Sequence, residues 1–158
     1  MAHVSAALGM SIIVSSRTDP GVVPGLNYRF VDMQELLSTA DIVTLHCALT
    51  DQTAELINDV ALKLMKRSAF LLNTARGGLI NEAHLAAALD QGLIAGAALD
   101  VLSTEPPGAS NPLLAAKNCI ITPHNHWASA ASRRRLLAQA VANLQAFIAG
   151  HPINVVSR

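Results

Sequence analysis

The sequence predicts an α/β fold built on a parallel sheet, and three observations carry that prediction. Short apolar runs rich in β-branched residues alternate with segments of helical period. The runs are continuous rather than alternating, the pattern of strands covered by helices on both faces. Helical segments open at Asp32, Asp59 and Asn81 and close at Gly9, Gly92 and Gly150, as capped helices do. Strands alternating with helices imply right-handed crossovers within one doubly wound sheet.

The elements follow in order. Val4, Ala7 and Leu8 share one helical face and Gly9 is a C-cap, so the chain opens on the tail of a helix that feeds a strand at 11–15. A helix near 32–38 starts at Asp32 with Glu35 three residues on, and a strand at 41–46 follows. Asp59 opens a helix near 59–66 ahead of a strand at 68–73. The helix from Asn81-Glu82 to Gln91-Gly92 turns Leu85, Ala88 and Leu89 inward, and a strand at 94–98 comes next. Residues 103–112 are irregular, because Pro106, Pro107 and Pro112 each remove a backbone donor. A last strand at 118–122 precedes a long amphipathic helix, roughly 129–149, closed by Gly150-His151-Pro152. Ile153 to Val156 read as a short extended tail, so the organisation is a partial dinucleotide-binding domain over 1–150 and a tail over 151–158.

In a dinucleotide-binding fold a first strand and a Gly-x-Gly-x-x-Gly turn precede the helix that residues 1–10 would end. The sequence holds neither. The expected fold is therefore an incomplete Rossmann-like parallel sheet, lacking the first strand and the Gly-rich loop, with a long C-terminal helix. A sheet ordered 3-2-1-4-5-6 loses its central member in this way. The strands at 11–15 and 41–46 are then expected to stand apart from those at 68–73, 94–98 and 118–122. A partner chain filling the gap, or a longer gene product, are the two ways to complete it.

Composition narrows the functional classes. With 158 residues, 51% of them apolar and 14% charged, the chain can bury a real core. Eleven basic residues balance eleven acidic ones, so net charge argues for neither nucleic acid nor an anionic membrane. Arg133-Arg134-Arg135 reads as a solvated helix face. Cys47 and Cys119 lack metal-like spacing and fit buried thiols of a reducing compartment. No apolar stretch has the length of a membrane span, and the N-terminus lacks a secretory leader, so the expected location is the cytoplasm.

Three loops after strand ends hold the candidate chemistry, where open parallel sheets place their ligands. In Asn73-Thr74-Ala75-Arg76-Gly77-Gly78, Arg76 stands beside two flexible glycines as a bidentate partner for a carboxylate, or as an ordinary surface arginine at a turn. In the second loop Asp100 can accept a donor, and Glu105 is held by two following prolines; alone, Glu105 is an exposed loop acid. In the third, Pro123 aims His124 into a cleft, while His126 points elsewhere if the segment stays extended. A His, a Glu and an Arg on such loops suit reduction of a carbonyl beside a carboxylate, with hydride from a nicotinamide. No metal-binding spacing and no nucleophile elbow is present.

Together, Ala-Leu-Gly-Met at 7–10, Leu-His-Cys-Ala-Leu-Thr at 45–50, Leu-Asn-Thr-Ala-Arg-Gly-Gly-Leu-Ile-Asn at 72–81, Ala-Leu-Asp-Val-Leu-Ser-Thr-Glu-Pro-Pro at 98–107 and Ile-Thr-Pro-His-Asn-His-Trp-Ala-Ser at 121–129 resemble the D-isomer-specific 2-hydroxyacid dehydrogenases. The likeness is to their glyoxylate/hydroxypyruvate reductase branch. It implies that Arg76 binds the substrate carboxylate and carbonyl, that His124 is the acid/base and that Glu105 orients it and supports its charge. It further implies that Asp100 contacts the nicotinamide end of the cofactor. The Thr74-Ala75-Arg76 backbone and the His46-Cys47-Ala48 loop line the cofactor cleft, with Thr53 approaching the phosphates from a helix start. Ser16 and Arg17 stand where many NAD-using relatives carry an acid, a departure that favours NADP over NAD. Ala48 replaces the usual proline, which loosens that turn. The resemblance implies a homodimer acting on a small 2-oxoacid or 2-hydroxyacid. Because the family's substrate-closing domain does not occur in these residues, the chain alone is expected to show little or no reductase activity; a non-catalytic binding or oligomerisation module is the other reading.

Overall fold

A computed structural model of the chain describes residues 1–156, and it divides at Pro123/His124 into two compact units. In the first, α1 (Ala2–Ala7) leads to β1 (Ile12–Val14) and β2 (Tyr28–Phe30). Then α2 (Met33–Thr39), β3 (Ile42–Leu45), α3 (Asp59–Leu64), β4 (Phe70–Asn73), α4 (Glu82–Asp90), β5 (Gly96–Leu99) and β6 (Cys119–Ile121) follow. The second unit holds α5 (Ala130–Ile148). Every strand pairing is parallel, in two sheets: β1-β2 alone, and β3-β4-β5-β6. This is the α/β fold of an incomplete Rossmann-like sheet.

The break falls elsewhere than expected. The 41–46 strand belongs with the three later ones, and the 11–15 strand takes as its partner β2, which sequence patterning missed. Tyr28-Arg29-Phe30 is three residues long, has no β-branched member and buries little, so no period marks it. Val31 N–H extends the ladder by donating to Val14 O at 2.9 Å. No strand among the described residues joins the β1-β2 pair to the four-stranded sheet.

The core lies on one face of the four-stranded sheet. Val43, Leu45, Leu71, Ala97 and Leu99 point into a buried cluster with Leu37 of α2, Leu62 of α3 and Leu85 and Leu89 of α4. The residues between them face the other way: Ile42 is 44% exposed, Phe70 48% and Ile120 66%. The expectation of helices on both faces is thus corrected. Continuous apolar runs report the capacity to be covered twice, and these residues supply one cover.

Caps set the helix limits. Asp32 accepts the Glu35 N–H at 2.7 Å, but the Glu35 carboxylate pairs with Arg29, so only half a capping box forms. α3 is capped by Asn58, which accepts from Val60 and Ala61; Asp59, expected as the cap, is its first residue and pairs with Lys63 at 2.7 Å. Asn81 caps α4 through His84 N–H, and Ser129 caps α5 through Ser132 N–H. α1, α4 and α5 each end in a Schellman pair of bonds around a left-handed glycine: Gly9, Gly92 and Gly150.

In the second unit α5 exposes Leu137, Val141, Leu144 and Ile148 along one stripe. The tail is not simply extended. Asn154, at φ 55°, turns it so that its Nδ2 donates to Asn143 Oδ1 of α5 at 2.9 Å. Of the tail assigned to 151–158, Ser157 and Arg158 lie outside the described residues. Among the described residues no helix is long and apolar enough to cross a membrane.

Candidate active site

The ladders align four strand ends, with Leu45 beside Asn73, Asn73 beside Leu99 and Leu99 beside Ile121. His46, Thr74, Asp100 and Thr122 therefore leave the sheet along one edge, the edge where open parallel sheets take ligands. Asp100 N–H still donates to Asn73 O at 2.9 Å, and Thr122 N–H to Leu99 O at 2.9 Å. Asp100 is buried, and its carboxylate accepts the Thr122 hydroxyl. A buried carboxylate costs free energy unless such donors meet it.

Asn73 shapes the arginine loop. Its side chain is fully buried; Nδ2 donates to Arg76 O at 2.9 Å and Oδ1 accepts Ala75 N–H at 3.0 Å. The turn this makes leaves Thr74 and Ala75 half-buried and Arg76 exposed. Arg76 Nη1 donates to Ala75 O at 2.7 Å, which uses one of its five donors. A polar residue closing an otherwise apolar strand was the signal for Asn73, and sequence reading gave it no role.

The next residue joins two loops. A Cβ on Gly77 would lie 1.9 Å from Leu102 C and 2.1 Å from Leu102 O. Its backbone is not left-handed, so glycine is needed there for space and not for flexibility. Leu102 N–H in turn donates to Glu105 Oε1 at 2.9 Å. Arg76 and Glu105 are thus tied to either side of one backbone contact, although both side chains are exposed. A third loop is stitched on by Glu55 N–H to Gly78 O at 2.8 Å and Ile57 N–H to Leu79 O at 3.0 Å.

In that third loop His46, Cys47 and Ala48 are exposed at the sheet edge. Thr44 Oγ1 lies 3.0 Å from His46 Nε2, and although the residue is largely exposed, partial desolvation of the ring lowers the imidazole's pKa from its ordinary range. Thr53 lies in a turn and not at a helix start, because the first helix after β3 begins at Asp59. Its hydroxyl accepts Thr50 N–H at 2.8 Å and donates to Ala48 O at 2.7 Å, so it braces the loop in which Ala48 replaces proline. Ser16 and Arg17 follow β1 and are exposed; Ser16 Oγ donates to Thr18 O at 2.6 Å. Among the described residues Arg17 joins no ion pair.

His124 opens the second unit. Its backbone is left-handed, at φ 50°, and its carbonyl accepts the Trp127 indole N–H at 3.0 Å. His is among the residues that tolerate this region, at some cost. The bend brings the His126 ring parallel to that of His124, with centroids 6.1 Å apart. The expectation that His126 points elsewhere is thus corrected: residues two apart share a face even in extended backbone, and here the two rings lie side by side. Among the described residues no group of three or more His, Cys, Asp or Glu is placed to hold a metal ion.

Asp100 and the Thr74–Arg76 turn follow β5 and β4, and Ser16 with Arg17 follows β1. No strand among the described residues joins the β1-β2 pair to the four-stranded sheet, and a dinucleotide-binding fold carries its Gly-rich turn on such a central strand.

Comparison with known proteins agrees with this geometry. The family described as "D-isomer specific 2-hydroxyacid dehydrogenase, NAD binding domain" matches residues 1–125. A hydroxypyruvate reductase of Blautia hydrogenotrophica is 44% identical over 155 residues, covering 98% of this chain and 48% of that protein. The crystal structure of the TT0316 protein from Thermus thermophilus superposes with a TM-score of 0.89 at 42% identity, covering 99% of this chain and 49% of the other. An acyclic imino acid reductase in complex with NADPH and D-Arg gives a TM-score of 0.87 at 32% identity, covering 99% and 49%. The chain spans about half the length of these relatives. With the matched region containing both the Arg76 and Glu105 loops, the chain belongs to the D-isomer specific 2-hydroxyacid dehydrogenase family, over its NAD(P)-binding domain.

Proposed function

We propose that these 158 residues are the cofactor-binding part, grouped over 1–150 with a tail at 151–158, of a reductase that converts a small 2-oxoacid to the D-2-hydroxyacid. By themselves they act as a binding and association module without turnover. The observation that supports this reading is the separation of β1-β2 from β3-β4-β5-β6, with no described strand joining the two sheets.

Within the complete site, the bound nicotinamide supplies the hydride to the carbonyl carbon. The guanidinium of Arg76 anchors the substrate carboxylate and polarises the carbonyl. His124, as the imidazolium, gives its proton to the carbonyl oxygen, which becomes the hydroxyl. In the complete site the Glu105 carboxylate is the residue that orients that imidazole. Thr74, Ala75, His46, Cys47, Ala48 and Thr53 line the cofactor cleft, and Asp100 receives the nicotinamide end. Ser16 and Arg17 favour NADP, because a serine and a cation accept a 2′-phosphate that an acid would repel. Hydroxypyruvate and glyoxylate are the proposed substrates and a homodimer the proposed assembly, in the cytoplasm, with no role for nucleic acid or membrane.

A steady-state assay of the purified chain with hydroxypyruvate and NADPH tests this directly. The expected result is weak dinucleotide binding without measurable oxidation of NADPH. Robust turnover would overturn the module reading. Tighter binding of NADH than of NADPH would overturn the assignment of Ser16 and Arg17.

A further inference from the structure

We infer that Glu82 is a positioning residue for the Glu105 turn, a role set by both of its carboxylate oxygens. Glu82 is the first residue of α4 and is half-buried. Its Oε1 accepts Ser103 N–H at 2.6 Å and its Oε2 accepts Asn111 Nδ2–H at 2.8 Å. The two bonds grip the 103–111 loop at both ends, and Glu105 stands between them. Such bonds to a carboxylate are about twice as strong as neutral ones. Asn111 is itself oriented, because its Oδ1 accepts Leu113 N–H at 3.0 Å and caps the turn at Pro112–Leu114. An amide flip would lose both bonds, setting oxygen against the Glu82 carboxylate and NH2 against the Leu113 N–H.

The same helix start carries the arginine loop. Glu82 comes five residues after Gly77, whose backbone abuts Leu102, and Leu102 N–H is held by Glu105 itself. Glu82 therefore closes a ring of contacts: α4 to Ser103, Ser103 through Leu102 to Gly77, and Gly77 back along the chain to α4. The ring fixes where Glu105 stands relative to Arg76. Its value to catalysis rests on the reading that these two residues serve one reaction; its existence does not.

The bonding pattern itself supplies a test. In Glu82→Gln the amide keeps an oxygen for Ser103 and turns an NH2 group toward the Asn111 NH2 group, donor against donor. In Asn111→Asp a carboxylate faces a carboxylate. In the double variant the new amide at position 82 donates to the new carboxylate at position 111, whose other oxygen still caps Leu113. Hydrogen exchange of the Leu102 and Ser103 amides, followed by NMR in the full chain, reads the result. Each single change should speed exchange at both amides by about tenfold, the worth of one net hydrogen bond, and the double variant should restore most of that protection. The amides of Leu85 and Leu89 in the core of α4 serve as controls and should not change.

Unaltered exchange at Leu102 in both single variants would overturn the inference, as would a double variant no better protected than the singles. Failure of the proposed reductase site would show differently. Arg76→Ala would then leave the amide shifts on adding glyoxylate and NADPH unchanged while the exchange pattern at Leu102 stood.

Discussion

Replacing Gly77 by alanine puts the largest local demand on the fold for the smallest chemical change. The added methyl carbon would sit 1.9 Å from Leu102 C, 2.1 Å from its O and 2.3 Å from Ser103 N. Non-bonded carbons rest at about 3.5–4.0 Å, so the two loops must part by roughly 1.6–2 Å. The obstructing atoms are backbone, and no rotamer change relieves them. Leu79 is fully buried and Leu102 buried, so the movement would also open the core around them. Overpacking of this kind costs about 3 kcal/mol or more, which lowers the melting temperature of a domain this size by roughly 10 °C. Gly78→Ala is the control. Its methyl would meet Leu49 Cδ2 at 2.9 Å, the tip of a flexible side chain that can turn away, for about 1 kcal/mol or less. Thermal and urea unfolding of the two variants beside the parent chain measures the difference. Equal losses in the two variants, or a Gly77→Ala chain as stable as the parent, would refute the claim that this close approach joins the loops.

Three further outcomes follow from the same geometry. Leu71→Ala removes a fully buried side chain and should cost about 2–5 kcal/mol by urea unfolding, whereas Phe70→Ala on the open face should cost well under half of that. Thr122→Val takes a hydroxyl donor from the buried Asp100 carboxylate and should cost about 1–3 kcal/mol in the same assay. Partial desolvation of the largely exposed His46 ring holds its folded-state pKa below its ordinary 6.5, so between those two values the unfolded chain binds the extra proton. This contribution to stability is full above about pH 6.5 and is lost as pH falls through that value toward the folded pKa. Urea midpoints at about pH 7.5 and about pH 5.5 should differ less in His46→Gln than in the parent chain.

Features carried by neighbouring residues were legible in the sequence, and those made by distant partners were not. Asp32 and Asn81 cap helices through bonds to amides three residues on, so local composition marks those starts. Gly9, Gly92 and Gly150 mark the ends for the same reason. β2 was missed because Tyr28-Arg29-Phe30 becomes a strand by pairing with Ile12–Val14, not by any pattern of its own. Gly77 read as flexible because its obstruction, Leu102, lies 25 residues away in sequence. Glu82 was given no role beyond marking the start of a helix, since its partners are 21 and 29 residues on. The direction expected for His126 was wrong, since residues two apart share a face in extended backbone and its ring lies parallel to that of His124. Asn73 and Thr122 stood inside the motifs as quoted, yet their bonds to Arg76 and Asp100 depend on loop curvature and strand register.

A dinucleotide lying across the C-terminal strand ends of the two sheets is the central claim, and an NMR titration of the isotope-labelled chain with NADPH asks this most directly. Amide shifts should move at Ser16 and Arg17 after β1, at Thr74 to Arg76 after β4 and at Asp100 after β5, while those of α3 stay in place. Shifts confined to α3 or to the far ends of the strands, or none at millimolar NADPH, would contradict it.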